Sequence, residues 1–212
     1  MPLFVVRVWV PDRPGVLGAV ASRIGSVRAD VVGIDILERG GGRAVDELTI
    51  DIADAAHVSL VIAEINEVDG VDVEHVRPVR HAITDRAAES LDVASSVVAA
   101  RGTDAILTAL TTGVRRIVQA DWTAVIDPSA GTAVAVDGGM EMPSAEWLAA
   151  FVIGTGAGEG SFAAVGELAR ASLPTLGHEL VVSRDELPLR EGERRMVSGL
   201  AAIADQRCAE SA

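Results

Sequence analysis

Pro11-Asp12-Arg13-Pro14-Gly15-Val16-Leu17 is the stretch on which the fold turns. Before it, Phe4, Val6, Val8 and Val10 recur at every second residue, the period of one face of a strand. After it, Val16, Leu17, Val20, Ile24 and Val27 recur at helical spacing. Two prolines and a glycine between the two periods mark a tight strand-to-helix turn. Pro14 suits a first helical turn, where its missing N–H costs nothing, so the helix is predicted from about Pro14 to Val27.

Reading outward, Ala29-Asp30-Val31 leads into a second strand with Val32, Ile34 and Ile36 on one face. Gly40-Gly41-Gly42 permits a reversal. A third strand sets Leu48, Ile50 and Ile52 against Glu47, Thr49 and Asp51, the alternation of an antiparallel sheet with one covered face. Val58, Val61, Ile62 and Ile65 make a second helical stripe, and Asp69-Gly70 breaks it before a strand at Val71–Val76. The order over residues 1–78 is βαββαβ, the ferredoxin-like arrangement.

Residues 79–89 are charged and poor in large apolar side chains, and read as a linker. Residues 90–207 read as a second α+β domain. Helices are predicted at 90–101 and around Ile106–Val118, then a hairpin of Trp122–Ile126 and Thr132–Val136. A short helix at Ser144–Ile153 follows, with strands at Ser161–Leu168 and His178–Ser183. A closing helix carries Met196, Val197, Leu200 and Ile203.

Composition narrows the chemistry. The 212 residues are 49% hydrophobic and 23% charged, a globular balance. The net charge of −13 is spread over both halves and opposes binding to phosphate backbones or anionic lipid. All 18 basic residues are arginine. Without lysine there is no Walker-type phosphate loop and no Schiff-base chemistry. No apolar run reaches the ~20 residues of a membrane span, and Met1–Val10 lacks a signal-peptide layout, so a soluble cytoplasmic protein is expected. The single cysteine, Cys208, reads as a stray thiol on a frayed tail.

Catalytic and metal motifs are missing. His57, His75, His81 and His178 form no metal-binding pattern, and no nucleophile elbow occurs. Gly154-Thr155-Gly156-Ala157-Gly158-Glu159-Gly160 fails the dinucleotide spacing in either register and reads as a loop. Trp122 and Trp147 read as core residues. No cofactor, metal or catalytic residue is expected, and the chain is read as non-enzymatic.

The Asp12-Arg13-Pro14-Gly15-Val16-Leu17 turn, the βαββαβ order and the Ala29-Asp30-Val31 step resemble an ACT domain over roughly residues 3–78. The stretch resembles in particular the regulatory domain of phosphoglycerate dehydrogenase. The resemblance implies a regulatory module that binds an amino acid or similar small ligand at an interface between copies, hence a homodimer. It places the ligand against Asp12, Arg13, Pro14, Gly15, Val16 and Leu17, with Asp30 and Val31 at the second strand. The family's serine-binding positions fall on Val10 or Pro11, Asp12 and Asp30; the amide-type residues are acidic here and Val10 stands where a histidine is expected. The N–H groups of Gly15, Val16 and Leu17 at a helix start favour a carboxylate, and Asp12 is placed to accept from an ammonium. The same residues fit a structural reading, with Asp12 as helix cap, Asp30 in a turn and Gly15 serving the tight turn alone.

Leu91–Ala204 resembles a GAF domain in its element order. Gly177–Arg184, Leu187-Pro188-Leu189 and Glu193 carry the likeness, with Leu189 where an aromatic is usual. The resulting expectation is an amino-acid-binding sensor protein. The alternative is a ligand-independent dimeric subunit that regulates a protein partner through the helices at 90–118.

Overall fold

The computed structural model describes residues 2–79, 86–139, 142–155, 162–165 (backbone only), 168–185 and 187–211. The chain divides into two compact units, Met1–Arg86 and Ala87–Ala212. Of the stretch read as a linker, residues 80–85 lie outside the described residues, and Arg86–Glu89 already belongs to a helix.

In the first unit, β1 (Leu3–Pro11), α1 (Val16–Ser26), β2 (Asp30–Gly40), β3 (Arg43–Asp51), α2 (Val58–Asn66) and β4 (Asp72–Pro78) follow in order, with one 3-10 turn at Ala55–His57. The sheet runs β2-β3-β1-β4 and every neighbouring pair is antiparallel. Both helices lie on one face, which is the ferredoxin-like topology. Val6, Val8 and Val10 of β1 and Leu48 and Ile50 of β3 pack with Val20 and Ile24 of α1 and Val61 and Ile65 of α2.

Two details depart from the sequence reading. The first helix begins at Val16, because Gly15 adopts a left-handed conformation with φ 91° and is the N-cap; Pro14 lies outside the helix. Secondly, Val32, Ile34 and Ile36 are 42–48% exposed, since β2 is an edge strand paired only with β3.

The face of this sheet away from the helices is charged. Glu47 accepts from Arg7 at 3.0 Å, from Arg77 at 3.3 Å and from Arg86. Arg7 is fully buried and Glu47 nearly so. Glu74 accepts from the Trp9 indole at 3.1 Å, and the Arg43 guanidinium lies over the same ring. The sequence reading left this face solvated; here arginines gather on one carboxylate instead.

The second unit comprises α3 (Arg86–Ala99, from its second residue), α4 (Thr103–Val118), β5 (Trp122–Asp127), β6 (Thr132–Gly138), α5 (Ala145–Gly154), β7 (Phe162–Val165), β8 (Leu168–Leu173), β9 (His178–Ser183) and α6 (Glu191–Ser211). Its five strands run β6-β5-β9-β8-β7, all antiparallel. One face packs on α3, α4 and α6 through Val125, Ala171, Leu180 and Val182. Trp122, Ala124, Ile126 and Val181 on the other face pack on α5. β8 is the strand the sequence reading missed; its apolar parity is Ala169, Ala171 and Leu173, two of them too small to stand out. Ser144 caps α5 by accepting from the Trp147 N–H.

Cys208 is not on a frayed tail. α6 continues past it, and the thiol is buried in the core, where desolvation pushes its pKa up. Trp122 is a core residue, whereas Trp147 is half exposed and stacks on Phe151 at 5.8 Å. The Gly156–Gly160 part of the glycine-rich stretch lies outside the described residues. No described helix is long and apolar enough to cross a membrane, and no metal-holding cluster occurs among the described residues.

Candidate ligand site

The turn between β1 and α1 is shaped by its glycine. A left-handed backbone at Gly15 is strained for any residue with a Cβ, although open space surrounds the position. Glycine is therefore required by conformation and not by crowding. Because Gly15 is the N-cap and has no side chain, the first turn of α1 has no side-chain cap. Its leading N–H groups keep the unpaired, electropositive character of a helix start. Asp12 does not cap the helix: its own N–H donates to Gly42 O at 2.9 Å and its side chain is exposed.

Beside this turn is a cavity of about 330 Å³. Val10, Pro11 and the run Asp12 to Leu17 line it from β1, the turn and α1. Arg39, Ala44 and Asp46 line it from the far end of β2 and the start of β3. The register explains the meeting, since Val10 pairs with Ala44 and Ala44 with Arg39. The volume is near the lower end of ordinary ligand pockets, about 300–1,000 Å³, and suits a metabolite of a few carbons.

Asp30 and Val31 are not in this cavity. They start β2, opposite Asp51 and Ile50, while Arg39 lies near its end. Nine residue steps along a strand span on the order of 25–30 Å. Arg13 lines the cavity and also pairs with Asp69 at 3.5 Å, both well exposed.

Arg39 and Asp46 are the residues that sequence reasoning missed. Asp46 pairs with Val8 and with Ile36, so it points to the helix-bearing face. It is 1% exposed, and its Oδ1 is buried with no hydrogen-bond partner. Desolvation pushes its carboxyl pKa up; the Arg39 charge pulls it down and the Asp12 charge adds to the rise.

A raised carboxyl pKa in the folded state favours the protonated form. Its stabilising effect is complete below the unfolded value of 3.8 and is lost as pH rises through the folded value. Asp46→Asn escapes this loss. The variant is expected to melt above wild type at neutral pH by the equivalent of about 1 kcal/mol, the low end for a buried unpaired group. The gap should close as pH falls towards 3.8. Calorimetric melting of both proteins from pH 4 to about 8 measures it.

Residues 4–70 match the family model for the ACT domain. This region is an ACT domain. ACT domains are regulatory modules that carry no catalysis themselves. The match covers the β1–α1 turn, β2, β3 and α2, and so every residue lining the cavity. No curated protein matches the chain. A solved structure, described as an unknown protein from Galdieria sulphuraria, is 14% identical with a TM-score of 0.34. The overlap covers 46% of this chain and 63% of that one, just under two thirds of that protein's length.

Proposed function

We propose that this is a cytoplasmic, non-enzymatic sensor protein whose ACT domain takes an amino acid or a similar small carboxylate at the Asp12–Leu17 turn. The observation that carries the reading is the cavity of about 330 Å³ lined by that turn, by the uncapped start of α1 and by Arg39 and Asp46 of the neighbouring strands. In one copy Asp30 and Val31 are at the wrong end of β2. They reach such a ligand only from a second copy, and the exposed Val32, Ile34 and Ile36 on the β2 edge give that copy an apolar strand to pair with. The second unit is read as GAF-like on its helix, helix, hairpin, helix, strands and helix order. Ligand binding acts through different affinities for two arrangements of the protein.

Thermal unfolding against the twenty amino acids, cyclic nucleotides and haem tests this. A ligand of the native state at about 100 times its Kd adds about 2.7 kcal/mol. A shift with an amino acid, and none with nucleotide or haem, is expected. A shift with nucleotide or haem alone moves the ligand to the second unit.

The alternative is a ligand-independent subunit that docks a protein partner. The observation in its favour is α3, where Leu91 and Val98 are 70% and 52% exposed one heptad apart. The apolar residues of α4 are buried, so α3 would carry such a surface alone. A stoichiometric partner unaffected by amino acids, with no melting shift, selects this reading.

A further inference from the structure

We propose that α5 of the second unit is a self-association face, on which a second copy of the chain seats its own α5 antiparallel about a two-fold axis. This contact is independent of the ligand reading and of any pairing at the β2 edge.

α5 is a helix with almost no polar side. Of its ten residues, Ala145–Gly154, only Glu146 is charged. A helix that is apolar all round is normally covered all round. Leu148, Ala149 and Val152 account for one side, which is buried on the sheet. On the other side Trp147 is 52% and Ile153 65% exposed, with Ala150 and Gly154 exposed as well. The edge strand β6 extends the patch. Val136 pairs with Ala124, whose side chain packs with α5, so Val136 is on the α5 side of the sheet, and it too is exposed.

Charge favours a second copy as the occupant. At −13, two copies repel over most of their surfaces. The α5 face is where that repulsion is weakest: its helix carries one carboxylate, and Asp137 of β6 is paired with Arg115 at 3.3 Å. A basic partner would gain nothing from choosing this face over the acidic surface around it.

Shape points the same way. Trp147, Ala150 and Gly154 follow at i, i+3 and i+7 and share one stripe of the helix. Gly154 is not there for its conformation, since its φ is not positive. It weakens the last helical turn, and a Cβ added to it would meet nothing within 4 Å. The bare backbone at Gly154 is thus open to a large side chain from outside. When two α5 helices cross antiparallel, Trp147 of each copy covers Gly154 of the other, the reciprocity that a two-fold contact requires. Phe151, stacked on Trp147, fixes the ring that does this. A ten-residue helix is about 15 Å long. With the β6 flanks, such a contact is at the small end of specific interfaces, below about 1,200 Å², so association is weak and concentration-dependent.

The test is sedimentation equilibrium of the full chain carrying Ile34→Glu, from micromolar to millimolar concentration. Ile34 is exposed on β2, so the added charge disables that edge as a route to dimers without touching the core. The Ile34→Glu protein is expected to pass reversibly from monomer to dimer. Adding Trp147→Glu should weaken the dimer by about 30-fold or more, the loss of a central aromatic anchor. Adding Gly154→Gln should have a similar effect by filling the space the ring takes. Because that space is open in a single copy, Gly154→Gln should keep the circular dichroism and melting temperature of its parent. Tryptophan emission should shift to the blue with concentration in the parent and not in the Gly154→Gln variant. A chain that stays monomeric once Ile34→Glu is in place overturns the proposal. So does a dimer undiminished by Gly154→Gln.

Discussion

Glu193→Ala is expected to lose about 3–5 kcal/mol of stability in the second unit, the cost of stranding one member of a buried ion pair. Arg184 is 4% exposed and Glu193 1%. The guanidinium has five N–H donors, and all five are used. Nε donates to Leu187 O at 2.8 Å. Nη1 donates to Val118 O at 2.7 Å and Glu193 Oε1 at 2.6 Å, and Nη2 to Pro188 O at 3.1 Å and Glu193 Oε2 at 2.8 Å. Glu193 Oε2 also accepts from the Arg190 N–H at 2.9 Å, so the same carboxylate closes the start of α6. One ion pair thereby ties the ends of α4 and β9 to the start of the last helix. Replacing both members by apolar residues should recover only part of the loss, since the backbone carbonyls of Val118 and Leu187 would lose the donor that Arg184 supplies. Hydrogen exchange followed by mass spectrometry, read over α4, β9 and α6, measures the effect. A loss below about 1 kcal/mol would reduce the pair to a surface-like contact.

Glu47→Ala should destabilise the first unit by a similar amount, about 3–5 kcal/mol. Glu47 is the shared acceptor of Arg7, Arg77 and Arg86, and Arg7 has no exposure to water. Glu74 is a weaker partner of Arg7, with its Oε2 4.0 Å from Arg7 Nε. Removing Glu47 leaves guanidinium groups facing each other across the middle of the sheet. Glu47→Gln keeps an acceptor oxygen but not the charge, and should cost less. Exchange at β1 and β3 amides separates the two variants. Equal protection in Glu47→Ala and wild type would mean that the arginines find other partners at no cost.

The two charged clusters differ in how far the sequence announces them. Arg184, Leu187, Pro188 and Glu193 are close in the chain and stood out as a pattern, although their purpose emerges only with Val118, 66 residues upstream. The βαββαβ order was legible because its apolar parities are made of Val, Ile and Leu. Asp46 was legible too, in principle: counting back from Ile52, Ile50 and Leu48 by twos reaches it, and a charge on the apolar parity of a strand is a signal. Arg39 carried no such signal. Register shifts in β2 between Val31 and Gly33 and between Ile36 and Glu38 change which residues share a face, and bulges leave no mark in an alternation count. The start of α1 was read two residues early, since proline favours a first helical turn and nothing in the Pro14-Gly15 pair announces that Gly15 is the left-handed N-cap.

The placing of Asp46 and Glu47 on opposite faces of β3 has a consequence for how the hairpin aligns. Gly41 and Gly42 both have positive φ and form the two-residue connection between Gly40 and Arg43. Three consecutive glycines bend easily and hold alignment weakly. A slip of one residue turns every side chain of a strand to the other face. In a slipped β3, Glu47 would be driven among the valines and leucines under the helices, while Leu48 and Ile50 would lie among arginines. Adjacent carboxylates of unlike length thus act as an alignment mark, penalising misregistered pairing at the point where the turn leaves the strands freest to slide.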